Sequence, residues 1–237
     1  MSFLVVESSP SMRESLCYAL LSFGVKGVPA ASRAAAWDLI NAASDLEGVI
    51  VDIDNKNVEG IRLVAELREN ERTRGLSVVV HTVQSGKDFV MQMIESGVSG
   101  YLLKPFDPAS ARDKLSAIFS KLATHNGKRR HFRVQPDPDD LARAHFRMGG
   151  NPQLLSGKIL DVSLGGIAVD LFTPPAEGLL QPGTRISRLE FAIGGRELSP
   201  PASVVLLKAN VLALRFELMT SADTKSLEKY IFKKISS

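Results

Sequence analysis

Two groups of residues in this chain have the types and spacing to do chemistry. The run Lys128-Arg129-Arg130-His131-Phe132-Arg133 sets guanidinium groups at Arg129 and Arg133, four residues apart, with a third at Arg130 between them. Further on, Asp161-Val162-Ser163-Leu164-Gly165-Gly166 offers a carboxylate, a hydroxyl and two glycines within six residues. Guanidinium forks bind phosphate bidentately and stack on flat rings. A carboxylate accepts from the donor edge of a base, and glycine lets backbone come close to a ligand. Together these residues make a cup for a small anionic ligand with flat polar edges, which points to a nucleotide that is bound and not transformed. The second group is Glu7, Asp52, Thr82 and Lys104, each at the end of a short apolar run. Carboxylate, hydroxyl and ammonium on one edge are the kit for placing a phosphoryl group on Asp52. Such a carboxylate nucleophile needs a metal for the donor phosphate, and a hydroxyl and a cation for the product oxygens.

The elements that must position these groups follow two different grammars. Up to about residue 120, apolar runs alternate with helical patterns. Strands are expected at Phe3 to Val6, near Val25 to Pro29, at Gly48 to Ile53, Leu76 to His81 and Tyr101 to Leu103. Helices are expected at Ser11 to Phe23, Ser32 to Ala43, Val58 to Asn70, Lys87 to Ser96 and Pro108 to Leu122, with Ser32 a helix N-cap. Five βα units in succession predict a doubly wound parallel five-stranded sheet, with its chemistry at the carboxyl ends of the strands. After a polar break containing Asn126-Gly127, short alternating strands follow: Ala142 to Met148, Leu155 to Leu160, Ile167 to Leu171, Arg185 to Ile193, Arg196 to Val205 and Val211 to Phe216. Turn pairs such as Pro182-Gly183 and Gly194-Gly195 separate them, and a helix from Ala222 to Ile235 ends the pattern. This half predicts an all-β antiparallel barrel, closed or nearly so, with a C-terminal helix. The expected division is 1–122, a linker at 123–128, and 129–237.

The 237 residues suffice for two cores. No apolar run approaches the roughly 20 residues of a membrane span, and the single Cys17 forbids an internal disulfide, so a cytoplasmic location is expected. Charge is uneven: residues 1–122 carry 13 Lys and Arg against 15 Asp and Glu, while 123–237 carry 16 against 11. An excess of +5 in the second half suits a discrete anionic ligand better than long nucleic acid. Cys17, Trp37, Phe89 and His81 are expected in structural roles, and no spacing among the histidines and Cys17 suggests a metal site.

Leu4-Val-Val-Glu-Ser-Ser-Pro-Ser-Met-Arg13, Asp52 eight residues before Gly60, His81-Thr82 and Tyr101-Leu-Leu-Lys-Pro-Phe106 together resemble the receiver domain of two-component response regulators. The resemblance implies that Asp52 accepts phosphate, Thr82 is the switch hydroxyl, Tyr101 the switch aromatic and Lys104 the phosphate-binding lysine. It also implies a histidine kinase as partner. Two departures weaken the implied Mg2+ site. Ser8 stands where the family has a second acid, and Asn55-Lys56 replace the Met-Pro pair after the acceptor. The set left to Mg2+ is Glu7, Asp52 and the loop at Asp54, with Lys56 able to lie across the pocket as an internal counter-ion. A receiver used only as a docking surface is the standing alternative.

The arginine run as RxxxR, followed by Asp161, Ser163 and Gly166 as DxSxxG, resembles the PilZ domain, a receptor for cyclic di-GMP. Alone, the first would be an ordinary solvated basic linker and the second an ordinary hairpin turn; in order, at the start of a barrel, they favour ligand binding. By this resemblance Arg129 and Arg133 take phosphates and guanine edges or faces, assisted by Arg130. Asp161 accepts from guanine, Ser163 bonds ligand or loop, and Gly166 admits the ligand to the backbone. The implied protein is a bacterial cytoplasmic signalling adaptor without metabolic catalysis. It binds cyclic di-GMP and acts on a motility, chemotaxis, pilus or polysaccharide protein. The alternatives are a DNA-binding response regulator with a basic output domain, for which no helix-turn-helix pattern exists, or a phosphate sink working through Asp52.

Overall fold

The computed structural model describes residues 1–122, 131–137, 142–148, 154–176 and 178–236, and the chain divides into two compact units, Met1–Arg130 and His131–Ser237. The expected linker, 123–128, lies outside the described residues.

In the first unit, strands β1 (Ser2–Val6), β2 (Lys26–Ala30), β3 (Leu46–Asp52), β4 (Ser77–Thr82) and β5 (Gly100–Leu103) form one parallel sheet in the order β2-β1-β3-β4-β5. Helices α1 (Pro10–Leu21), α2 (Arg33–Ala42), α3 (Gly60–Glu69), α4 (Lys87–Glu95) and α5 (Pro108–Leu122) make the crossovers. The apolar runs explain the order. Phe3 to Val6, Val49 to Val51 and Val78 to Val80 are buried throughout, as central parallel strands covered on both faces must be. Each such aliphatic side chain contributes about 1.5–3 kcal/mol by leaving water. Helix starts follow their caps: the Ser9 hydroxyl accepts from the Met12 N–H ahead of Pro10, and the Ser32 hydroxyl from Ala35 N–H at 3.2 Å. The expected segment near Val25 to Pro29 is a true edge strand. Its Pro29 is tolerated because β2 pairs on one side only.

The second unit is an eight-stranded antiparallel sheet of β6 (Arg143–Arg147), β7 (Leu154–Ser163), β8 (Gly166–Leu171), β9 (Arg185–Ile186), β10 (Leu189–Ile193), β11 (Arg196–Leu198), β12 (Ala202–Lys208) and β13 (Val211–Phe216), in the order β11-β10-β6-β7-β8-β13-β12-β9. Helix α6 (Ser221–Ser236) follows and buries Leu227, Tyr230 and Ile231. Two expected strands are each broken in two. The Arg185 to Ile193 run divides at Ser187-Arg188, and the Arg196 to Val205 run at Ser199-Pro200-Pro201, where tandem prolines offer the ladder no N–H. The first break shapes the sheet. β9 is one edge and β10 is next to the other, six strand spacings away, which is about 29 Å if the sheet were flat. The three Cα–Cα links from Ile186 to Leu189 reach no more than about 11 Å. The sheet therefore curls into a half-barrel, and its inner face holds alternate residues such as Leu189, Phe191 and Ile193.

Candidate functional site

The carboxyl edge of the parallel sheet gathers the first group. Asp52 ends β3 with 2 % exposure, Thr82 ends β4 fully buried, and Lys104 follows β5, joined to Pro105 by a cis bond. Gly60 fixes the loop between them: a Cβ there would stand 2.1 Å from the Asp52 carbonyl oxygen, so α3 can begin this close to the end of β3 only with glycine. The Lys104 ammonium donates to Asp52 Oδ1 at 2.6 Å and lies 3.2 Å from Asp54 Oδ2. Burial disfavours its charge, but the two carboxylates outweigh burial and raise its pKa.

Asp54 is the member whose role the sequence placed least well. Its carboxylate does not turn toward Glu7. Oδ1 accepts from the Thr82 hydroxyl at 2.7 Å and Oδ2 from the Val83 backbone N–H at 2.8 Å, while its own N–H donates to Asp52 Oδ1 at 3.0 Å. Burial pushes the Asp54 carboxyl up, and Thr82, Val83 and Lys104 together pull it below its ordinary value. Glu7 is engaged elsewhere. Oε1 accepts from Ser9 N–H at 3.0 Å, and Oε2 lies 3.3 Å from Nδ1 of the fully buried His81. Against burial, His81, Ser9 N–H and Lys104 hold its carboxyl low. His81 is thus the second-strand neighbour that occupies Glu7, a role the sequence did not reveal. Ser8, in the place of the expected acid, accepts through its hydroxyl from the Asn55 side-chain amide at 2.7 Å.

These donors do not fit the Mg2+ set expected from Glu7, Asp52 and Asp54. Magnesium needs several oxygens pointing at one centre, whereas Glu7 faces an imidazole, and Asp52 and Asp54 share the Lys104 ammonium, with Asp54 also facing the Thr82 hydroxyl and the Val83 amide. Among the described residues no three carboxylate, imidazole or thiolate groups are arranged to hold a metal. Lys56 is exposed and makes no ion pair among the described residues; the counter-ion is Lys104. Tyr101 lies on β5 opposite Val80, half-buried, with the Lys104-side helix contributing the Lys114 ammonium 4.5 Å from its ring centroid.

In the second unit, Arg129 and Arg130 lie outside the described residues. Arg133 is described, and its guanidinium Nη1 is 3.7 Å from Asp161 Oδ2, with side chains 49 % and 28 % exposed. The segment is anchored beside this pair. Val134 and Val162 exchange both backbone hydrogen bonds, each 2.9 Å, in an isolated antiparallel bridge. The turn after Asp161 is held from within. The Ser163 hydroxyl, buried, donates to the Gly166 carbonyl at 3.2 Å and accepts from Gly165 N–H at 3.3 Å, so it closes the turn. Gly166 lies against the neighbouring strand, where a Cβ would meet the Leu214 carbonyl oxygen of β13 at 2.1 Å. Gly165 is the glycine that leaves room for a ring: its Cβ would come within 2.8 Å of the His131 imidazole. His131, Val134 and Gly165 were missed as site-forming residues, since nothing in their spacing shows that the arginine segment lies against this turn. Asp161 sits beside an irregularity in the β7–β8 register between Ile159 and Asp161, which leaves its half-exposed carboxylate directed at Arg133.

Comparison with known proteins places both halves. The response regulator receiver domain matches residues 3–116, and the PilZ domain matches residues 127–233. The first half is similar to the chemotaxis protein CheY homolog of Campylobacter jejuni, 30% identical over 129 residues, covering 54% of this chain and 97% of that protein. It is also similar to chemotaxis protein CheY1 of Helicobacter pylori, 29% identical over 119 residues, covering 50% of this chain and 96% of that protein. Among solved structures, CheY4 of Vibrio cholerae aligns with TM-score 0.45 and 21% identity over 49% of this chain and 97% of its own. The PilZ domain of YcgR from Escherichia coli with c-di-GMP aligns with TM-score 0.39 and 23% identity over 46% of this chain and 92% of its own.

Proposed function

Because the chain belongs to the response regulator receiver family in its first half and carries a PilZ domain in its second, we propose that it is a signalling adaptor whose input is cyclic di-GMP, bound by the second unit. The observation that carries this reading is the pairing of Arg133 with Asp161 on a segment bonded to the turn it faces. A guanidinium offers its fork to phosphate or to the O6/N7 edge of guanine, and a carboxylate accepts from guanine N1 and N2 protons. At 3.7 Å and with solvent around both, the two groups are near enough to be held in place and too loosely joined to resist separation by a ligand. Arg129 and Arg130 would complete the grip on the phosphates.

The receiver unit then acts as the surface through which a partner protein reads the signal, in keeping with the two-component family it belongs to. Its edge keeps Asp52 and Lys104 but commits Glu7 to His81 and Asp54 to Thr82, Val83 and Lys104, which favours docking over phosphoryl uptake. Among the described residues no helix is long and apolar enough to cross a membrane. Equilibrium dialysis of the purified chain with radiolabelled cyclic di-GMP tests the assignment. Retention displaced by unlabelled cyclic di-GMP, but not by GTP or duplex DNA, is expected; retention displaced by DNA would favour a nucleic-acid output instead.

A further inference from the structure

The anion seat of the receiver is already filled by the chain itself. Three donors suited to hold phosphoryl oxygens next to Asp52 are the Thr82 hydroxyl, the Val83 N–H and the Lys104 ammonium. All three converge on the Asp54 carboxylate, at 2.7, 2.8 and 3.2 Å. The carboxylate is only 19 % exposed, and its two oxygens take up the hydroxyl, the amide and the cation together. Thr82 is further fixed by accepting from the Gln84 N–H at 3.1 Å, so the β4–α4 turn is tied to the filled seat.

We propose that Asp54 is an internal substitute for a bound phosphoryl group: it holds Thr82, Val83 and Lys104 in the arrangement an anion would impose, and excludes external phosphate from Asp52. The inference rests on reading Asp52, Thr82 and Lys104 as a phosphoacceptor edge, and is independent of nucleotide binding by the second unit. A carboxylate and a phosphoryl group present similar acceptor oxygens to these donors, but an incoming phosphoryl carries about −1.5 to −2 charges. It would meet Asp54 as a like charge over the same donors. The receiver is therefore locked in one state, so that its docking surface is presented without a kinase. Phosphate transfer would require that Asp54 first leave.

The test uses the full chain labelled with nitrogen-15, observing the Val83 amide during titration with inorganic phosphate, with no metal added. In the parent protein the Val83 resonance is expected to stay fixed and its amide to be protected from hydrogen exchange. In Asp54→Ala, protection is expected to fall at least tenfold and phosphate to move the resonance in a saturable way. Adding Lys104→Met to that variant should abolish the response. Trp37 emission reports whether the variant remains folded, and Asp54→Asn, which keeps the shape and removes the charge, serves if it does not. A parent resonance that moves with phosphate as readily as the variant's, or a folded variant that ignores phosphate, overturns the proposal. Loss or retention of cyclic di-GMP binding bears only on the second unit and leaves this result unaffected.

Discussion

The Arg133 guanidinium lies 3.7 Å from the Asp161 carboxylate, a distance at which each charge steers the other without the two closing into a tight pair. Arg133 lies in the described stretch 131–137, which forms no regular strand, and Asp161 belongs to β7; the Val134–Val162 bridge is what brings them together. If this pair grips cyclic di-GMP, Asp161→Asn should weaken binding less than Arg133→Ala, because the amide keeps an acceptor oxygen while the alanine removes both charge and fork. Hydrogen bonds to charged groups contribute about 1.5–3 kcal/mol, so a loss of roughly ten- to a hundredfold in affinity is expected for Arg133→Ala. Fluorescence polarisation of a labelled cyclic dinucleotide measures both variants.

Gly166→Ala should destabilise the second unit with or without ligand. The added methyl would sit 2.1 Å from the Leu214 carbonyl, a backbone atom that cannot step aside. Overpacking of this kind costs about 1–3 kcal/mol, to be read from urea unfolding of the variant. A variant as stable as the parent but deficient in binding would show that Gly166 matters as a ligand contact and not through the sheet.

Much of this architecture was legible in the chain because it depends on short-range pattern. The buried runs at Phe3, Val49 and Val78 announced a parallel sheet covered on both faces, and Ser32 announced its helix. The Arg185 to Ile193 run, by contrast, has a continuous alternation, and nothing local says that the chain crosses between opposite ends of the sheet at Ser187-Arg188. The same limit applied to the sites. Asp52, Thr82 and Lys104 stand at strand ends and were found by position alone. Asp54 entered the expected metal set only as part of the loop after Asp52 that the receiver resemblance implies; the Thr82 and Val83 donors that capture its carboxylate come from the end of another strand. Ser163 and Gly166 were recognised as a pair; the bond from Ser163 to the loop is one of the two partners expected of it, while the Leu214 carbonyl that crowds Gly166 comes from a strand far along the chain.

Lys104 holds two carboxylates, so Lys104→Met should leave the buried Asp52 without its cation and lower the stability of the receiver unit at neutral pH. Asp52 Oδ1 keeps the Asp54 N–H, and the lost hydrogen bond to a charged group is worth about 1.5–3 kcal/mol. Asp52→Asn combined with Lys104→Met should restore part of the loss, and a double-mutant cycle in urea would measure it. Equal losses in the single and double variants would mean that the ammonium acts on something other than Asp52.

The indole of Trp37, the single tryptophan, donates to Glu66 Oε2 at 2.8 Å, and Arg33 donates to both oxygens of the same carboxylate. Trp37 and then Arg33 hold the Glu66 carboxyl below its ordinary 4.5 despite some opposing burial. A carboxyl depressed in the folded state adds stability that is fully present above 4.5 and is lost as pH falls through the depressed value. Trp37 emission should therefore titrate with a midpoint below 4.5, and Glu66→Gln should abolish that titration.

Cys17 is completely buried in α1 packing, and loss of solvent pushes its thiol up to about 12. The thiolate is the reactive form, so native protein at neutral pH should resist alkylation by iodoacetamide and react only as fast as it opens. Rapid, stoichiometric labelling without unfolding would show that α1 leaves its place.

Titration calorimetry of cyclic di-GMP into the purified full chain, with parent and Arg133→Ala side by side, tests the central claim most directly. The predicted result is saturable binding with a defined stoichiometry by the parent and binding weakened roughly ten- to a hundredfold in a folded Arg133→Ala variant. No heat of binding in the parent, or equal affinity in both proteins, would contradict it.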